Sequence, residues 1–200
     1  MYYKRNVKKS HTSVFKGKER EYNEYVLRSL LYGQKTTMEV ARFIANETEK
    51  HRKTIFSIIA RKRGALNRLS EREFVERLPN KKWHLTFKGT ATALTLVNDL
   101  EMILRMIRRD LQVVDLRRKL KFLRLILGRF FKEQMIEDLV NWFQSEDYWQ
   151  ALRRKTEQLR DKGVNIEDMT EKEFTYTVLP QLIMDKSAKK FFKTLNADNL

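Results

Sequence analysis

With 200 residues, 42% hydrophobic and 11% aromatic, and only six Gly and two Pro, the chain is long enough for one or two domains with a real core; this composition excludes global disorder and predicts a mainly α fold. The lack of cysteine excludes disulfides, Cys-type zinc fingers, iron–sulfur clusters and thiol catalysis. A formal charge of +16 points to an anionic partner, phosphate backbone or anionic lipid, while no apolar run approaches the roughly 18 residues of a membrane span and none follows Met1 as a secretory signal requires, so a cytoplasmic protein is expected.

Residues 1–20 carry Lys4, Arg5, Lys8, Lys9, Lys16, Lys18 and Arg20 with almost no apolar periodicity. Two readings stand side by side: a basic arm that follows a DNA groove, and a solvated, frayed terminus. From Glu21, the residues Tyr22, Tyr25, Val26, Ser29 and Leu30 recur at helical spacing, and Gly33 is placed to end this first helix. Thr36 with Glu39 forms a capping box ahead of Val40, Ala41 and Ile44, which predicts a second helix over residues 37–46. Residues 46–49 supply turn and cap chemistry, and a single, strongly basic third helix is expected over residues 50–69. The β-prone runs 74–78 and 82–87 flank Pro79-Asn80-Lys81 and read as a hairpin.

This order of elements, together with the string Lys82-Trp83-His84-Leu85-Thr86-Phe87-Lys88-Gly89, resembles the winged helix-turn-helix family of prokaryotic DNA-binding regulators. The resemblance covers residues 20–95. It implies three helices plus a β-hairpin wing, with double-stranded DNA as partner. One departure stands out: no glycine occupies the turn between the second and third helices.

From Lys88 onward the pattern is nearly all helical. Leu96, Leu100, Ile103, Ile107, Leu111 and Val114 step like a coiled-coil seam, and Leu116, Leu120, Leu123 and Leu127 continue it with a phase shift. Gly128 interrupts, a helix holding Met135, Ile136, Leu139, Val140 and Phe143 follows, and another holds Trp149 and Leu152 up to Asp161-Lys162-Gly163. Thr170 with Glu173 is a second capping box, and Pro180 is expected to start or kink the last helical segment. Residues 1–20 are thus read as a basic arm, 21–90 as a winged-helix domain, and 91–200 as an all-helical dimerisation or effector domain.

On a continuous third helix, Ile55, Ile58, Ile59, Leu66 and Leu69 form a core stripe. Lys53, Ser57, Arg61, Gly64 and Arg68 fall opposite, with Asn67 beside them. Such a front suits a major-groove reader, because Arg bonds guanine bidentately and Ser or Asn pairs with base edges; the plainer reading is a solvated charged face. Arg52 and the Arg61-Lys62-Arg63 run fan around the helix and suit phosphates, and Thr36 and Thr37 at a helix N-terminus are second-tier phosphate contacts or simple caps. In the hairpin, Arg77, Lys81 and Lys82 flank the tip and suit the DNA backbone or minor groove, while Trp83 and Leu85 alternate inward and His84 points out with no metal partner.

The sequence holds no phosphate-binding glycine loop, no Gly-x-Ser-x-Gly and no His-Glu-x-x-His, so neither an enzyme nor a cofactor or metal is expected. The leading expectation is a sequence-specific, dimeric transcription regulator, its seam setting two recognition helices roughly 34 Å apart on a palindromic site. Two rivals are a replication or plasmid-maintenance DNA binder and a winged-helix protein–protein adaptor. The seam leucines equally suit packing within one chain, and Trp142, Phe143, Tyr148 and Trp149 suit a core more than an effector pocket.

Overall fold

The computed structural model describes residue 15, residues 20–97, residues 138–139 and residues 141–197, with side chains described as far as Lys186. Over these residues the chain is mainly helical with one small antiparallel sheet. In order, it forms α1 (Arg20–Leu30), α2 (Thr37–Thr48), α3 (Arg52–Ala60), α4 (Ala65–Glu71), β1 (Val75–Arg77), β2 (Trp83–Leu85) and α5 (Phe87–Thr95). Two longer helices follow, α6 (Glu146–Asp161) and α7 (Glu171–Ala197). No helix among the described residues is long and apolar enough to cross a membrane.

α1 buries Val26, Leu27 and Leu30, while Tyr22 and Tyr25 pack only partly against the core, so its apolar face is turned toward Leu27 from the expected stripe. α2 begins where its capping box requires. Thr36 Oγ1 accepts from the Glu39 N–H at 3.3 Å, and the Glu39 carboxylate accepts from the Thr36 N–H at 2.7 Å. Val40, Ala41 and Ile44 form its buried face.

The single helix expected over residues 50–69 is in fact two, α3 and α4, broken at residues 61–64. Gly64 explains the break. A Cβ there would lie 2.4 Å from the Ile59 carbonyl oxygen, so only glycine lets the chain double back this closely. The Gly64 N–H donates to the Arg61 carbonyl at 2.7 Å, and the Asn67 side chain donates to the same oxygen at 3.0 Å, satisfying a group that the lost helical turn leaves open. The core stripe survives: Ile55, Ile59, Leu66 and Leu69 are buried, with Ile58 partly exposed.

β1 and β2 pair in the register Val75↔Leu85, Glu76↔His84 and Arg77↔Trp83. Their connection is a turn with Pro79 and Asn80 at its centre, closed by the Lys81 N–H donating to Leu78 O at 2.9 Å, followed by Lys81 in the left-handed region at φ 62°. Lys35 adds a one-residue third partner, exchanging backbone bonds of 2.7 and 3.1 Å with Trp83. The segment from Leu85 to Gly89 has a physical logic. Leu85 is buried, Thr86 caps α5 by accepting from the Gly89 N–H at 3.0 Å, and Gly89 lies against Phe74, where a Cβ would meet the carbonyl oxygen at 1.8 Å.

α5 is buried along its whole length between α1 on one side and α6 and α7 on the other, so the boundary drawn at residue 90 falls inside a shared helix. The core is one cluster from Phe15 to Ile183. Phe15 itself, within the stretch read as a basic arm, is buried edge-on against Phe74 with ring centroids 5.3 Å apart. Trp142, Phe143, Tyr148 and Trp149 stack as tilted and edge-to-face pairs in the core. Gly163 at φ 78° follows the C-terminus of α6, and Thr170 with Glu173 caps α7, which continues through Pro180 without starting anew there. The seam from Leu100 through Leu127 and the helix expected at Met135 and Ile136 lie outside the described residues.

Candidate nucleic-acid interface

α2 and α3 are joined by residues 49–51, and the geometry of that turn answers the missing glycine. Glu49 ends α2 in the left-handed conformation, φ 57°, that a glycine would ordinarily supply. His51 then caps α3, its Nδ1 accepting from the Lys53 N–H at 3.3 Å. With Ile55 and Ile59 committed to the core, α3 turns Arg52, Lys53, Phe56 and Ser57 outward.

Beside the start of α3 lies an open cleft of about 500 Å³. Arg42 from α2, Lys50 from the turn, and Arg52 and Lys53 from α3 line it, against a single acid, Glu49. The Lys50 ammonium donates to the Tyr22 hydroxyl at 2.9 Å and sits 5.2 Å from that ring's centre, which fixes the cation at the cleft wall and raises its pKa through that hydrogen bond.

The residues singled out in the sequence separate into two groups. Arg52, Lys53, Ser57, Arg61 and Arg63 are all exposed, on α3 or in the turn after it. Asn67 and Arg68 are turned inward by the break in the helix: Asn67 holds the Arg61 carbonyl, while Arg68 donates to Arg63 O at 2.5 Å and to Asn23 Oδ1 at 3.1 Å. Burial draws the Arg68 pKa below its ordinary value. The expected common face of Lys53, Ser57, Arg61, Gly64 and Arg68 therefore does not form, because α4 starts in a new direction after Gly64.

Thr36 and Thr37 are occupied internally as well. Thr36 serves the capping box, and Thr37 Oγ1 accepts from Trp83 Nε1 at 3.0 Å, tying α2 to the hairpin. On the hairpin, Arg77 is exposed, its guanidinium 5.7 Å from the centre of the Trp83 ring, and Lys81 is exposed at the tip. Lys82 is half-buried near Glu39, whose carboxyl is held below its usual range first by the Thr36 backbone and side-chain bonds and then by this cation and Lys35. His84 is not isolated: its Nε2 lies 3.2 Å from Glu76 Oε2 across the register. Among the described residues no group of three or more His, Asp or Glu is placed to hold a metal.

The sequence analysis did not single out Arg42, Lys50 or Phe56: Arg42 comes from a different helix, Lys50 was placed inside the third helix instead of in the turn before it, and Phe56 carries no polar group that marks a contact. The available signal was the density of basic residues on both sides of the 49–51 turn. Comparison with protein-family models, curated proteins and solved structures finds no match.

Proposed function

We propose that this chain binds double-stranded DNA as a winged helix-turn-helix protein and acts as a dimeric, sequence-specific transcription regulator. In this reading α2 and α3 are the helix-turn-helix, α3 enters the major groove, and β1 and β2 are the wing. The observation that carries it is the convergence of Arg42, Lys50, Arg52 and Lys53 on one open cleft at the exposed start of α3. Four cations drawn from three successive segments repel one another in the free protein, and a phosphate backbone relieves that repulsion.

Arg52, Arg61 and Arg63 then meet phosphates, Lys53 and Ser57 face base edges, and Arg77, Lys81 and Lys82 follow the adjacent backbone or minor groove. Asn67, Arg68, Thr36 and Thr37 support the reading element through the internal bonds given above. Dimerisation through the leucine seam after α5 rests on sequence spacing, and it sets half-sites roughly 34 Å apart. The charge gradient agrees with this division of labour, since residues 1–87 hold 21 Lys/Arg against 9 Asp/Glu and residues 88–200 hold 21 against 17.

The test is binding to random and selected duplexes across a salt series, with an Arg52→Ala, Lys53→Ala variant alongside. The log–log salt slope is expected to flatten by about 1 for each cation removed. A protein that binds no duplex at low salt rules the reading out and favours an acidic protein partner for the same face.

A further inference from the structure

α3 carries an aromatic ring at the protein surface. Phe56 is 36% exposed, while its neighbours in the core stripe, Ile55 and Ile59, are fully buried. Large apolar side chains are exposed at few positions among the described residues, namely Met38, Phe56, Tyr176 and Met184. Phe56 alone among these lies on α3. By helical spacing it neighbours Arg52 and Lys53, four and three residues away, and the next residue, Ser57, is exposed as well.

The surroundings decide what such a ring meets. The cleft cations beside it disfavour an apolar protein or acyl-chain partner and call for a polyanion, and α3 is held rigidly by Ile55 and Ile59. On a duplex, the apolar feature exposed in the major groove is the C5 methyl of thymine, and a phenylalanine ring is among the side chains that contact it. Resting on the duplex reading above, we propose that Phe56 is a specificity-determining residue that packs on a thymine methyl, while Lys53 and Ser57 beside it address polar base edges. The binding site then contains a required thymine in each half-site, chosen by its methyl group and not by its hydrogen bonds.

The test uses the full chain and its preferred duplex selected from a random pool. Each thymine is replaced singly by deoxyuridine, which pairs identically and lacks only the methyl, and Phe56→Ala is measured beside the wild type. At one thymine per half-site the wild type is expected to lose about fourfold in affinity, the worth of one buried methyl. Phe56→Ala is expected to bind the thymine and uracil duplexes alike, with the wild-type salt slope. Salt-dependent binding by the wild type with no loss at any uracil overturns the Phe56 assignment alone, as does a Phe56→Ala variant that keeps the wild-type thymine preference. Absence of salt-dependent binding to any duplex overturns the duplex reading itself, so the two failures are told apart.

Discussion

The buried ammonium of Lys88 donates to the backbone carbonyl of Arg72 at 2.8 Å, and also to the carbonyl of Met169. One side chain at the start of α5 thereby ties the end of α4 to the loop before α7. Its Nζ lies 4.0 Å from the centre of the Phe74 ring, and Glu171 accepts the Phe87 and Lys88 backbone N–H groups at 3.2 and 2.8 Å. Burial pushes the Lys88 pKa down to about 8, with Glu171 and Glu73 resisting the fall. Replacing Lys88 by Met leaves two partly buried carbonyls without this donor, and a loss of about 2 kcal/mol in unfolding free energy is expected.

The pH dependence of that effect has a definite sign. The folded chain releases the Lys88 proton near 8 and the unfolded chain near the ordinary 10.5, so between those values the unfolded state binds the extra proton and stability climbs with pH. Below 8 the cost of burying the charge is present in full. Urea unfolding at about pH 7 and about pH 10 should show the wild type gaining relative to Lys88→Met. Equal changes in both proteins would count against this account.

Glu49 gives a second prediction, since its left-handed backbone is strained for any residue with a Cβ. Glu49→Gly relieves that strain but loosens the unfolded chain, for a net gain of about 0.5 kcal/mol; Glu49→Gln keeps the strain and gains nothing. Both remove the one acid lining the cationic cleft, so both should tighten duplex binding about twofold at low salt. Thermal melting separates the two variants, and DNA titration should not.

Two glycines with different duties make a third. At Gly89 an added Cβ meets the Phe74 carbonyl oxygen at 1.8 Å, so Gly89→Ala forces α5 away from the base of the hairpin, at about 3 kcal/mol. Gly163 has nothing within 4 Å of such a Cβ and pays only for its φ of 78°, so Gly163→Ala costs about 1 kcal/mol. Similar losses in the two variants would mean that the Phe74 backbone yields to the added Cβ, so that close packing at Gly89 is not the constraint.

These cases mark what local chemistry discloses. Both capping boxes, Thr36 with Glu39 and Thr170 with Glu173, were legible because donor and acceptor lie three residues apart, and so was the hairpin tip at Pro79-Asn80-Lys81. The break at Gly64 was not, since a glycine inside a helical pattern is ordinary and the reason for this one is the Ile59 carbonyl across the turn. That single break reassigned Asn67 and Arg68 from the outer face to internal bonds, although the core stripe remained correct on both sides of it. The Lys35 bridge to Trp83 and the burial of Phe15 on Phe74 involve one residue each, too little to leave a period in the sequence. Basic residue types marked the candidate face, but only folding showed that Arg42 and Lys50 join it from neighbouring elements.

Arg52 and Arg68, both candidate DNA contacts by sequence, should part company in experiment. Arg68 joins α4 to Asn23 of α1 through a half-buried, charge-assisted hydrogen bond, so Arg68→Ala is expected to lower stability by about 2 kcal/mol. Below the melting transition its salt slope on duplex DNA should match that of the wild type. Arg52 is exposed at the cleft, and Arg52→Ala should leave stability within about 0.5 kcal/mol while flattening the salt slope by about 1. Denaturant unfolding and salt-series titration on the same two proteins decide the matter. A flattened slope for Arg68→Ala would mean that its guanidinium leaves Asn23 to meet a phosphate, and an unchanged slope for Arg52→Ala would remove the start of α3 from the contact surface.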